Sequence, residues 1–361
     1  MDPRLATIAV TALNATDNPG PGISVIRALR EAPGFRGCLV GLAYDTMDPG
    51  AYAGDIVDDV FLLPYPSQGR EALLQRIRYI HGRVGLDVII PTLDSELDAF
   101  IDIEDELAAM GIGVFLPDKE HLQVRSKARL ARLGDEADIA VPPTRMISDV
   151  AELYRLHQEI PFPVFMKGQY YGAHLARSVD EAVAAFHNIV AQWGVPVIAQ
   201  SMVRGEEYDV VAVGDGRGGL VGAVPMKKIS LTDKGKGWAG VAIKDPALIE
   251  LTQRFMAATR WRGPCEVEVM KDEQGRYHLL EINPRFPAWT FLCAGAGMNL
   301  PWAVALLAMG IPVAPMHEYR VGTMFVRISI DQIADISQLQ QLSATGELIG
   351  SPTLTLAAQE A

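Results

Sequence analysis

The sequence predicts an α/β protein: a parallel-sheet N-terminal domain followed by a body of α+β character. Three observations predict it. Over roughly the first third of the chain, short apolar runs alternate with amphipathic helical stretches, the pattern of strands joined by helical crossovers. After Pro117 the pattern changes, and apolar strands begin to end on polar or charged side chains. With 361 residues, 49% of them hydrophobic and 21% charged, the chain can bury a large core and should divide into two or three domains.

Residues 7–13, 37–43, 58–63 and 88–91 read as buried strands, and 23–30 and 70–84 as helices between them. Right-handed crossovers then place ligand-facing loops at the carboxyl ends of the strands. Two loops stand there. The first, 14–22, holds Asn18 among prolines and glycines; it lacks GxGxxG spacing, and reads as a helix-starting turn or a ligand loop. The second, 91–96, offers Asp94 and Glu96 as ligand contacts, or as a helix N-cap and a first-turn acid.

Beyond Pro117, 119–133 reads as a basic helix, 141–144 as an extended linker, and 163–167 as a strand ending on Lys167. A strand at 196–200 precedes Ser201-Met-Val-Arg-Gly205-Glu-Glu207, and another begins at Asp209. The segment 225–240 is basic and glycine-rich in an otherwise acidic chain. Lys227 or Lys228 there would hold an anion, unless the loop is simply solvated.

The most telling stretch runs from Glu266 to Arg285 as two strands joined by a turn at 272–275. Glu281 and Asn283 are two apart on one strand and share a face, and Glu268 on the preceding strand lies across from them. Three hard oxygen donors converge in this way on a position suited to Mg²⁺. Arg285 continues the same face and is placed to hold a phosphoryl group. Next, 286–316 carries no charge, but its prolines and glycines leave only about ten residues from Trp302 for one helix, so a soluble buried helix is expected rather than a membrane span. A strand at 321–330 and a helix from Asp335 close the reading.

A net charge of −12 without a basic run argues against a nucleic-acid partner. The opening residues do not read as a signal peptide. Cys38, Cys265 and Cys293 show no CxxC spacing, which points to a reducing, cytoplasmic setting and leaves Cys293 as either a nucleophile or a buried thiol. No Gly-x4-Gly-Lys-Ser/Thr occurs, so a P-loop is excluded.

Taken in order, Lys127, Lys167, the stretch from Gln200 to Glu207, Glu268, Glu281, Asn283 and Arg285 resemble the ATP-grasp superfamily, nearest to the synthetase domains of the carbamoyl-phosphate synthetase large chain. The resemblance covers almost the whole chain. It implies a Rossmann-like pre-ATP-grasp domain over 1–117, a small lid subdomain over 118–196, a large subdomain with hinge and metal site over 197–316, and a C-terminal cap over 317–361. ATP and Mg²⁺, or Mn²⁺, are the implied cofactors. Lys127 and Lys167 would reach the nucleotide phosphates. The hinge Gln200, Ser201, Met202 and Val203 would read adenine, the Met202 N–H facing a ring nitrogen and the Gln200 carbonyl the exocyclic amine, while Glu207 would hold the ribose.

In the same resemblance Glu268, Glu281 and Asn283 are the metal ligands and Arg285 a catalytic charge; Lys228, from the basic segment 225–240, is read as a second charge at the reaction centre. The implied reaction activates a carboxylate as an acyl phosphate, with ADP as product, and passes it to an amine. Alternatives are an acyl- or carbamoyl-phosphate-forming kinase-like synthetase and a non-catalytic ATP-binding subunit. The chain departs from the family at 167–174, where Tyr170, Tyr171 and His174 replace glycines, and after Arg285, where Trp289 stands for a small residue. Trp289 would line an acceptor pocket or fill the core. Asn18, Asp94, Glu96 and Trp289 are the candidate substrate contacts. The expected partners are a small-molecule or peptide carboxylate, an amine and a second copy of the chain, with no membrane.

Overall fold

The computed structural model describes residues 2–15, 19–124, 127–168, 173–232 and 235–350. Strands β1 (Ile8–Thr11), β2 (Leu39–Ala43), β3 (Asp59–Leu62) and β4 (Val88–Ile90) form a parallel sheet in the order β3-β2-β1-β4. Every residue of β1 and β2 is buried, as expected of strands covered on both faces. Helix Pro21–Arg30 packs on one side of this sheet and Gly69–Val84 on the other. The first helix starts so close to the end of β1 that a Cβ on Gly22 would lie 1.9 Å from the Thr11 carbonyl oxygen.

A second sheet is antiparallel, with β5 (Thr144–Ile147), β6 (Val164–Lys167), β7 (Ala173–Ala176) and β8 (Val197–Ser201) in the order β5-β8-β6-β7. Helix Val179–Trp193 covers it, and its core, including Ile147, Val164, Met166, Phe186 and Val197, is drawn only from residues 147–199. This small body has its own hydrophobic interior.

The third sheet is the largest. Strands β9 (Gly205–Asp215), β10 (Leu220–Leu231), β11 (Gly237–Ala242), β12 (Arg262–Asp272), β13 (Tyr277–Asn283) and β14 (Met324–Val326) run in the order β13-β12-β9-β10-β11-β14. Its two faces differ because alternate residues point opposite ways. Val210, Ala212, Val267 and Val269 pack beneath helices Lys127–Ala137 and Pro246–Thr259, against Leu130, Leu133, Leu251 and Phe255. On the opposite face Val211, Val213, Val224 and Met226 share a core with Val25, Ile26 and Leu29 of the first helix. That core joins the two larger sheets and covers one end of the face. The other end is left for polar groups.

Several expectations change in detail. The basic stretch 119–133 forms two helices, Lys119–Val124 and Lys127–Ala137. The uncharged stretch 286–316 forms helices Phe291–Gly295 and Leu300–Ala308, and no helix among the described residues is long and apolar enough to cross a membrane. Of the strand expected at 321–330, Met324–Val326 is what forms, in antiparallel register with β11, with backbone hydrogen bonds at Gly322, Thr323 and Arg327 flanking it. Helix Ile336–Thr345 is N-capped by Asp335, and the next strand, β15 (Glu347–Ile349), pairs antiparallel with β3. Residues read as a C-terminal cap therefore extend the two larger sheets, because each sheet has an open edge that backbone donors and acceptors can complete.

The tight entry of the first helix gives a direct test. Gly22→Ala is expected to destabilise the protein by about 1–3 kcal/mol, the usual cost of forcing atoms into a filled site, seen as a lowered urea midpoint. An unchanged midpoint would show that the contact relaxes freely.

Candidate active site

Strand register brings the acidic residues together. Glu268 pairs with Asp209 of β9 on one side and with Glu281 of β13 on the other, while Glu266 pairs with Asn283. A bulge after Glu268 shifts the β12–β13 pairing from Glu281 to Leu279, so Leu280 is skipped and Glu281 comes opposite Glu268. Glu207, Asp209, Glu266 and Glu268 thus share the face whose far end is the apolar core. One carboxylate oxygen from each of Glu207, Asp209 and Glu268 lies within 4.8 Å of the others.

Two cations enter this group. Lys228, from β10, is almost wholly buried; its Nζ donates to Glu207 and lies 3.1 Å from Asp209 Oδ2. Burial alone would lower its pKa, but the charges of Asp209, Glu268 and Glu207 outweigh that and raise it, so it stays an ammonium. Lys227 faces the other way and pairs with Glu206. Arg285 donates from Nε to Asp94 Oδ2 and from Nη1 to Glu266 Oε2, both at 3.1 Å, and these partners hold its pKa up against burial. Asp94, on the loop after β4, is therefore part of the cluster.

Carboxylates still outnumber the cations. Burial pushes the Asp209 carboxyl well up despite Lys228, and burial and Glu268 push Glu266 up. Asp209 Oδ1 is buried without a hydrogen bond. A set of hard oxygen donors with excess negative charge and an unused buried oxygen fits a divalent cation of the Mg²⁺ class.

Glu266 was missed as a site residue by the sequence reading, although it lies two before Glu268 and so on the same face. It accepts hydrogen bonds from Trp289 Nε1 at 2.7 Å, Asn283 Nδ2 at 3.0 Å and Arg285 Nη1. Asn283 Nδ2 also donates to Glu268 at 2.8 Å. Trp289, a candidate substrate contact, is buried with its indole N–H directed at Glu266.

Glu96 requires a correction. Rather than facing a ligand, it is buried and accepts from the Thr11 and Tyr44 hydroxyls and from the Thr92 and Leu93 N–H groups at 2.7 and 2.8 Å. Four donors fill the carboxylate, which ties together the ends of β1, β2 and β4. Asn18 lies outside the described residues, as do Tyr170 and Tyr171; His174 is exposed on β7.

At the other end of the sheet face, a cleft of about 260 Å³ is lined by Ser201, Met202, Val203, Arg204, Asp272 and His278, among others. Lys167 Nζ donates to Gln200 Oε1 at 2.7 Å, bringing those two residues together at the start of the hinge. The Met202 N–H, expected to face adenine, donates instead to the Pro163 carbonyl at 3.3 Å. The reason is that backbone pairing between β6 and β8 continues one residue past the end of β8. Lys127 opens the helix Lys127–Ala137.

Residues 195–328 match the family model described as ATP-grasp in the biosynthetic pathway with Ter operon. Among solved structures, the biotin carboxylase of Campylobacter jejuni superposes with a TM-score of 0.69 at 15% identity, covering 89% of this chain and 74% of that one. The chain has an ATP-grasp fold.

Two sequence relatives carry ligase names. D-alanine–D-alanine ligase B of Pseudomonas putida is 24% identical over 173 residues, 44% of this chain and 53% of that protein. Phosphoribosylamine–glycine ligase of Synechocystis is 26% identical over 227 residues, 56% of this chain and 53% of that protein. The chain thus spans about half the length of these relatives.

Within this ATP-grasp fold all three cysteines are free, and Cys265 and Cys293 are buried. Burial pushes both thiols up, and burial with Asp59 and Asp58 pushes Cys38 up to about 12. A nucleophilic Cys293 is thereby disfavoured, since the thiolate is the reactive form. In the native protein at pH 8, a thiol reagent such as Ellman's is expected to label the three sites slowly, and all three at once in denaturant. Rapid labelling of Cys293 in the folded state would contradict this.

Proposed function

We propose that the chain is an ADP-forming, ATP-dependent carboxylate–amine ligase that acts through an acyl phosphate. The observation that carries the reading is the cluster of Glu268, Glu281, Asn283, Lys228 and Arg285, set on the same sheet face as the hinge cleft. The ligase names of the two relatives, each pairing an amine with an amino acid, support it.

In this reading adenine lies against Gln200, Ser201, Met202 and Val203, with the long Met202–Pro163 bond giving way where the base needs a donor. Glu207 takes the ribose, and Lys167 and Lys127 the phosphates. Glu268, Glu281 and Asn283 would hold Mg²⁺, which when bound neutralises phosphate charge. Arg285, fixed by Asp94 and Glu266, and Lys228, fixed by Glu207 and Asp209, present positive charge to the transferring phosphoryl group. A substrate carboxylate oxygen attacks the γ-phosphorus, the bond to the ADP oxygen breaks, and an amine nitrogen then attacks the acyl carbon and releases phosphate.

The acyl phosphate must be kept from water. The four-stranded body with its own core is the part we assign as the lid, closing over the cleft about the hinge at 201–204. We keep the divisions at 117 and 316 and move the far boundary of the lid from 196 to the hinge at 201–204, so that β8 stays in its sheet, with β14 and β15 completing the neighbouring sheets.

Glu281→Gln is expected to leave the melting temperature near that of the parent and to cut ADP formation by roughly 100-fold or more, as loss of one ligand charge from a catalytic ion does. Near-parental turnover would remove the metal assignment. ADP and phosphate release from MgATP, with pooled amino acids and small carboxylic acids offered with and without pooled amines, tests the reaction itself. Release that requires both pools is the expected result. ADP formed without an amine would favour the kinase-like synthetase, and MgATP binding without release the binding-only subunit.

A further inference from the structure

Arg327 directly follows β14, and three contacts hold it. Its backbone N–H donates to the Trp238 carbonyl and its Nε to the Gly237 carbonyl, both at 3.0 Å, and its guanidinium carbon sits 5.5 Å from the Phe325 ring centre. Register fixes its direction. Phe325 pairs with Gly240, and Gly240 with Lys228, so the three share one face of the sheet. Arg327, two residues past Phe325, belongs to that face too. The charge of Glu266 is felt at the guanidinium.

Among the described residues Arg327 has no counter-ion, and unlike Arg76, whose guanidinium is taken up by backbone carbonyls, it keeps a buried nitrogen unbonded. Buried arginine nitrogens without a hydrogen bond also occur in Arg30 and Arg254, but those guanidiniums already pair with Asp58 and Asp138. Arg327 has its Nη2 buried and unbonded, and no carboxylate within ion-pair distance among the described residues. Burial accordingly holds its pKa down, to about 10, whereas Arg285 with two carboxylate partners is raised. Desolvating a charge without an opposing one is costly, so such a group is retained where an anion completes it. A planar guanidinium fork suits a carboxylate in particular.

We propose that Arg327 is an anion-binding residue that anchors a carboxylate of one of the ligase's substrates, a group separate from the carboxylate that is phosphorylated. The word substrate rests on the ligase reading; the anion site does not. Two strand spacings separate β14 from β10, about 10 Å, so a molecule of amino-acid size spans from Arg327 to the charges around Lys228. A component with an ammonium or reacting group at one end and a carboxylate at the other fits this interval.

The test is thermal melting in the presence of MgADP, with acetate, glycine and succinate as carboxylate probes and inorganic phosphate as a second arm, on the parent, Arg327→Gln and Arg327→Lys. At least one carboxylate probe is expected to raise the parent's melting temperature with concentration. Its apparent affinity should fall by roughly 30-fold or more in Arg327→Gln and by less in Arg327→Lys, which keeps the charge but not the fork. Without probe, Arg327→Gln should melt no lower than the parent, since an unpaired desolvated charge has been removed; a merely structural arginine would lower it. Arg327→Lys carries the comparison if the glutamine variant does not fold. Equal shifts in parent and variants, or no shift of the parent by any carboxylate, would overturn the proposal, and a shift by phosphate alone would overturn the carboxylate class. Should every substrate pool fail to release ADP while the Arg327-dependent shift persists, the ligase reading falls and the anion site stands.

Discussion

Everything at this site depends on one constraint, the crowding of carboxylates on a single face of an antiparallel sheet. Glu207, Asp209, Glu266 and Glu268 are brought together by pairing between β9 and β12, and none can turn away without breaking the alternation that buries Val210, Ala212, Val267 and Val269 behind them. Hydrophobic packing on one face therefore holds like charges together on the other. Lys228 and Arg285 offset part of the repulsion, and the remainder is excess negative charge of the kind a divalent cation would offset.

The same face explains why the N-terminal domain belongs to the architecture. Val211, Val224 and Met226 continue the acidic rows as an apolar patch that the first helix covers, and Asp94 reaches across to Arg285. Two bodies thereby share one sheet surface, dry at one end and charged at the other. Orientation of Arg285 depends on both, with Asp94 contributed by one and Glu266 by the other. The small antiparallel body differs, since its interior includes no residue of the larger sheets. An element with a complete core of its own can move as a unit without exposing apolar surface.

Much of this was legible in the sequence. Alternation of apolar runs and helices identified the parallel sheet, and spacing of two placed Glu281 with Asn283 and across from Glu268. Local pattern could not show the partners supplied from a distance. Glu96 looked like a ligand contact because its four donors come partly from β1 and from the loop after β2, and the N–H of Met202 looked free because the bond to Pro163 spans 39 residues. Glu266 went unread for the opposite reason: an acid near others is unremarkable until Trp289 and Arg285 are seen to converge on it. The extended reading of 321–330 outran its partner strand, since propensity does not reveal where an edge ends.

Attachment of β15 to β3 carries a consequence for biosynthesis. Glu347 also accepts hydrogen bonds from Tyr79 and Arg83, and the Gly346 carbonyl from Arg76, so the last strand is stitched to the first domain at several points. On the ribosome, β1 to β4 emerge early, yet the edge of β3 waits for nearly three hundred further residues before its partner exists. During that interval the nascent domain carries an open strand edge, the feature through which incomplete chains associate. The parallel sheet is thus begun before the large antiparallel sheet and completed after it.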